Sequence, residues 1–173
     1  VLSVEQKIRK KNFMFRIGKN NKDEIIITIP DDSPLVSVNG EIKMGGIKAT
    51  DLSFSDIALE INMGGILFDN VNCENVDLEV DMGGLEFVNS EFDSIKADVN
   101  MGGIKLNKCN GGSADLKAEM GGVDVSGEYD SITGEAEMGG IELDVNDDCK
   151  IDVETEMGGV RVNGTDMGKK YKN

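Results

Sequence analysis

The sequence predicts an all-β fold: a single-stranded parallel β-solenoid of about seven 19-residue rungs, closed at its start by a β-hairpin cap. Three observations carry that expectation. The first is a tripeptide that returns as Met44-Gly45-Gly46, Met63-Gly64-Gly65, Met82-Gly83-Gly84, Met101-Gly102-Gly103, Met120-Gly121-Gly122, Met138-Gly139-Gly140 and Met157-Gly158-Gly159, five steps being 19 residues and one 18. A fixed period of this size marks units that stack because none can bury its apolar face alone. The second is period-two alternation of apolar and polar residues beside every copy, the mark of a half-buried strand. The third is that the 22 glycines fall mainly in step with the repeat, at corners, instead of forming a flexible tract.

Residues 1–12, VLSVEQKIRKKN, are polar and weakly patterned and read as an extended or disordered lead-in. Over 13–36, Phe13, Phe15 and Ile17 alternate with Met14 and Arg16, the turn-like KNNKD follows, and then EIIITIP, so two strands make a cap. A stacked array needs such a cover because its end rung otherwise offers an unpaired edge. The solenoid occupies 37–168, and 169–173 is a C-terminal tail.

Within a rung, Ile57, Leu59 and Ile61, or Val76, Leu78 and Val80, point one way and acids or amides the other. Parity puts the Met of each corner inward as well, after which Gly-Gly shifts the phase and Ile66 and Phe68, or Leu85 and Phe87, resume the core face. Two inward columns follow, one through Val38, Ile57, Val76, Ile95, Ala114, Ile132 and Ile151, the other through Ile47, Ile66, Leu85, Ile104, Val123, Ile141 and Val160. The segments after the second strand, NVNCEN, NSEFDS, KCNGGS and GEYDS, vary most and read as loops, with Val71, Phe92 and Cys109 able to tuck under a third side. Parallel crossovers are normally right-handed, which sets the expected hand.

Composition excludes several classes. The net charge of −15, from 33 acidic and 18 basic residues, leaves nothing to neutralise phosphates along the body, so nucleic acid is no partner. Basic residues crowd the ends instead, as Lys7, Arg9, Lys10, Lys11, Arg16, Lys19 and Lys22 and as Lys169, Lys170 and Lys172. No stretch has the roughly 18 apolar residues of a membrane span. Opening at Val1 and not at Met, the sequence reads as a processed or trimmed piece, so that any targeting segment would have been removed from it. Cys73, Cys109 and Cys149 stand at different offsets from their corners, so they read as free, semi-buried thiols.

With no His there is no acid–base or triad chemistry, and neither GxSxG nor a P-loop is present, so the chain reads as no enzyme and needs no cofactor. Tyr129 is almost alone as an aromatic outside the core columns, too little for a polysaccharide platform. The Met column invites a soft-metal reading, since thioethers suit Cu(I), but an inward direction and the lack of His or Cys at a fixed offset favour a buried steric stack. Outward, Glu41, Glu60, Glu79, Asp98, Glu135 and Glu154 share a column broken by Lys117, with Asp81, Glu119, Glu137 and Glu156 beside it. A solvated face is the favoured account. Glu60, Glu79, Asp81 and Asp98 are the carboxylates a weak calcium site would use, although no D-x-D-x-D-G loop exists.

The repeated strand, Gly-Gly-[Ile/Val/Leu] corner and strand from about Val38 to Asn163, behind a short β segment, resembles the bacterial toast-rack domain, an adhesin-like family of unknown function. The resemblance implies a β-solenoid in an envelope-associated protein and brings no catalytic or ligand residues. The Met before each of the seven repeated Gly-Gly corners is this chain's own. The expectation is a non-enzymatic, adhesin-like protein at the cell envelope or extracellular face, presenting an acidic surface to a protein or envelope partner. The rival is a self-assembling, bactofilin-like scaffold, against which the like-charged ends argue.

Overall fold

The computed structural model describes residues 12–17, 24–28 and 36–173, the first two stretches as backbone. Its strands are β1 (Asn12–Ile17), β2 (Glu24–Thr28), β3 (Val36–Ile42), β4 (Gly45–Met63), β5 (Ile66–Met82), β6 (Leu85–Val88), β7 (Glu91–Met101), β8 (Ile104–Met120), β9 (Val123–Met138), β10 (Ile141–Val145), β11 (Lys150–Met157), β12 (Val160–Val162), β13 (Thr165–Gly168) and β14 (Lys170–Lys172). From β3 to β12 neighbours pair in parallel, residue against its copy one repeat later, as in Ile57↔Val76, Val76↔Ile95 and Ile95↔Ala114. The fold is the expected β-solenoid of about seven turns.

Each turn has three sides. In the turn from Ile66 to Met82 the buried residues are Ile66 and Phe68, then Val71 and Cys73, then Val76, Leu78 and Val80. The phase slips twice within the turn and again at Met-Gly-Gly, and each slip is a corner. The segments that vary most are thus largely strand: β5, β8 and β9 run unbroken through NVNCEN, KCNGGS and GEYDS, NSEFDS is interrupted only at Asn89-Ser90, and Val71, Phe92 and Cys109 are core. Tyr129 belongs there too, only 2% exposed, behind the ring series Phe68–Phe87 (5.0 Å between centroids), Phe87–Phe92 (5.9 Å) and Phe92–Tyr129 (6.1 Å). The reading of Tyr129 as lying outside the core is corrected accordingly. Burying each such apolar side chain contributes roughly 1.5–3 kcal/mol.

The second corner is built by left-handed residues, Asp51, Asn70, Asn89 and Lys108, with φ of 56°, 55°, 50° and 54°. Asp and Asn tolerate this region better than other side chains, and Asn70 Nδ2 donates to Asp51 Oδ1 one turn back at 2.6 Å. The 18-residue step is taken here. Between Leu106 and Cys109 the register slips, Gly127, at φ 137°, faces Cys109, and the Lys108 amide donates to Ser126 Oγ at 3.0 Å instead of to a ladder carbonyl.

Both ends are covered by reversed strands. At the start, β1 pairs with β2 (Phe13↔Ile27) and runs antiparallel to the first edge of β4 (Phe15↔Ile47), as a hairpin cap should. The KNNKD turn, Pro30, Pro34 and the lead-in before Asn12 lie outside the described residues. At the finish, the chain reverses at Asn163-Gly164, β13 covers β12, and β14 covers β11 through Asp152↔Lys172 and Glu154↔Lys170. The expected tail at 169–173 is therefore largely a capping strand.

Candidate functional site

The methionines of the Met-Gly-Gly corners do not line the core. Met44, Met63, Met82, Met101, Met120 and Met138 are 40–48% exposed and Met157 67%, the large exposed hydrophobics among the described residues. The parity argument fails because Met82 sits where the chain rounds a convex corner. None of the four residues between buried Val80 and Leu85 is buried, Asp81 and Met82 both being exposed.

The backbone nevertheless stays in the ladder. Met63↔Met82, Met82↔Met101, Met101↔Met120, Met120↔Met138 and Met138↔Met157 are in register. The amide of Gly64 donates to the carbonyl of Met82 at 2.8 Å, and that of Gly83 to Met101 at 2.8 Å. The first glycine of each corner from Met44 to Met120 has φ between 132° and 156°, a region that penalises any Cβ. The result is a ridge of thioethers repeating at about 4.8 Å along the rod.

Two unlike surfaces flank the ridge. On one side, Glu41, Glu60, Glu79, Asp98, Lys117, Glu135 and Glu154 stack residue on residue, and Asp81, Glu119, Glu137 and Glu156 immediately precede their Met. On the other, a groove of about 760 Å³ runs along Gly84, Gly103, Gly122, Gly140 and Gly159. Its outer wall mixes both signs in the file Glu86, Lys105, Asp124, Glu142 and Arg161, with Lys105 paired to Asp124 at 3.9 Å and Arg161 to Glu142 at 3.5 Å. Carboxylates are therefore denser on the side of Glu60 and Glu79, while the groove side carries acids and bases together.

Of the calcium candidates, Glu60, Glu79 and Asp98 share one column, while Asp81 Oδ1 accepts a hydrogen bond from Asn100 Nδ2 at 3.0 Å. Stacking is not convergence: among the described residues no group of three or more His, Cys, Asp or Glu could hold a metal ion. The basic C-terminus is spent locally. Lys170 pairs with Glu154, Lys172 with Asp152, and Lys169 Nζ donates to the Glu156 carbonyl at 2.6 Å, so the last lysines neutralise the end of the acidic face. Sequence reasoning missed this because it hinges on the reversal at Asn163-Gly164.

The three cysteines are free and buried in separate places. Desolvation pushes the Cys73 thiol up to about 12 and the Cys109 thiol up to about 11, which keeps both protonated and unreactive. Among the described residues no helix is long and apolar enough to cross a membrane.

Over residues 1–173 the chain matches the family model described as Toastrack DUF4097. Neither a curated protein nor a solved structure matches it.

Proposed function

We propose, from the premise that the chain belongs to the Toastrack family, a group of unknown function, that it is a non-catalytic binding module of the cell envelope. Its methionine ridge and acidic face together would receive a protein segment that is cationic and amphipathic. The observation that carries this reading is the row of seven exposed Met bordered by carboxylates on one side. Contiguous exposed apolar surface is costly unless it is used, and flexible thioethers adapt to varied apolar partners. Stacked acids supply the complement for Lys and Arg on the same segment. An adhesin-like display role fits the same surface, since the ridge extends with every added rung. End-to-end assembly fits less well, because β1, β13 and β14 cover rung edges with reversed strands.

The test is titration of the full chain with a cationic amphipathic helical peptide, read by the peptide's fluorescence anisotropy. Binding should weaken as salt rises and be lost when Met82, Met101 and Met120 are changed together to Ser. Equal binding by that variant, or light scattering that shows filaments growing with concentration, defeats the reading.

A further inference from the structure

We propose that the methionine corner binds a soft monovalent cation, Cu(I) or Ag(I), between the thioethers of adjacent rungs. This does not depend on the protein-partner reading above. Thioether sulfur is a soft, uncharged donor, and among biological metal ions it suits Cu(I) and leaves Ca²⁺, Mg²⁺ and Zn²⁺ to other ligands. The Met column reads as a steric stack on two grounds, an inward direction and the lack of His or Cys at a fixed offset; the first falls, since the side chains are 40–48% exposed over six rungs, and a site built of thioethers alone does not need the second.

Spacing supports the site independently of donor type. A two-coordinate ion needs its sulfurs about two metal–sulfur bonds apart, roughly 4.6 Å on the 2.3 Å scale of such bonds. In-register methionines repeat at about 4.8 Å. Met has three rotatable bonds and no branch, so its sulfur can close the small difference without moving the backbone. Uncharged donors leave the ion's positive charge to be balanced by neighbours, and Asp81, Glu119, Glu137 and Glu156 stand one residue before Met82, Met120, Met138 and Met157. The other soft ligands of the chain do not compete: Cys73, Cys109 and Cys149 are buried in the core, each without a second cysteine paired to it.

The experiment uses the full chain with 13C-labelled methionine methyls, titrated with Ag(I) as a redox-inert stand-in for Cu(I). The methyl signals of the seven corner methionines, Met44 to Met157, should shift in steps, and native mass spectrometry should count about three ions, because seven sulfurs make three separate pairs. The variant M82L/M101L/M120L keeps the apolar volume and removes the sulfur. It should melt as the parent does and take up Ag(I) at least about tenfold more weakly at mid-rod, as loss of a metal's own ligands requires. Cu(I) delivered under ascorbate should reproduce the same methyl shifts. Methyl signals that stay in place, undiminished uptake by the Leu variant, or displacement of Ag(I) by excess Ca²⁺ would each overturn the proposal, the last two by assigning the ion to cysteines or carboxylates.

Discussion

A Cβ placed on Gly102 would stand 1.7 Å from the carbonyl oxygen of Gly83, its counterpart one rung earlier. Neither backbone can yield, because both belong to the same corner ladder, and the residue's φ of 148° adds its own penalty. Gly102→Ala should therefore cost more than about 3 kcal/mol and lower the melting midpoint by about 6–12 °C. Gly164→Ala is the control. That glycine has φ 76° but nothing within 4 Å of its missing Cβ, so only the left-handed conformation is penalised, at about 1–2 kcal/mol. Equal melting shifts for the two variants would contradict the stacked corner.

Where the sixth turn leaves the ladder, a side chain takes the place of a strand. Asn146 Oδ1 accepts the amide of Tyr129 at 2.7 Å while its Nδ2 donates to the Tyr129 carbonyl at 3.1 Å, and Asn163 does the same for Val145 at 2.9 and 3.0 Å. Tyr129 is buried, so Asn146→Ala strands two backbone groups and should cost about 1–3 kcal/mol in a urea melt. Asn110→Ala should stay within about 0.5 kcal/mol. Its Oδ1 accepts only the amide of exposed Glu128, at 3.2 Å, and water can replace it.

The C-terminal cap should loosen at both ends of the pH scale. The Lys172 ammonium, hydrogen-bonded to Asp152, holds that carboxyl below its ordinary 3.8. A depressed acid contributes stability above its unfolded value and loses it as pH falls through the folded one, so the acid limb opens below about pH 4. Glu154 raises Lys170 above its ordinary 10.5, and that contribution is present below 10.5 and lost as pH rises through the raised value. The methyl signals of Val153, which faces Tyr171 across the cap, should report both limbs while those of Ile104 stay put. Lys172→Gln should flatten the acid limb; an unchanged profile would mean the pair contributes nothing to docking.

What the sequence revealed, and what it hid, follows from how far each rule reaches. Period two placed Ile57, Val76 and Ile95 in one core file because alternation is a property of a straight strand. The same rule misdirected Met82, since parity has no meaning across a convex corner. The signal available was the odd step of five from Val80 to Leu85, with four residues between, which no single strand phase spans. Asp51, Asn70 and Asn89 recur at 19 residues and mark the left-handed corner, but Lys108 and the missing eighteenth-step residue made the segment look like variable loop. The pairing of Lys170 and Lys172 with Glu154 and Asp152 was beyond reach, because it depends on a chain reversal and not on the repeat.

Among the stacked rungs Lys117 is the one cation in its file of the acidic face, which Lys170 closes opposite Glu154; it lies between Asp98 and Glu135, with Nζ 3.8 Å from Glu135 Oε2. Both partners of the pair are well solvated, so the ion pair alone is worth little. Its position matters more than its bond. Lys117→Glu would set like charges directly opposite on both neighbouring strands, and each such pair costs about 0.2–1 kcal/mol. The variant should lose about 1 kcal/mol at low ionic strength, and most of that loss should vanish near 1 M salt, where the screening length falls to about 3 Å. Lys117→Ala should lose less than half as much and depend less on salt. If the Glu variant were as stable as the parent in dilute buffer, repulsion along the file would be too weak to matter, and the charge of this face would have to be explained by what it receives.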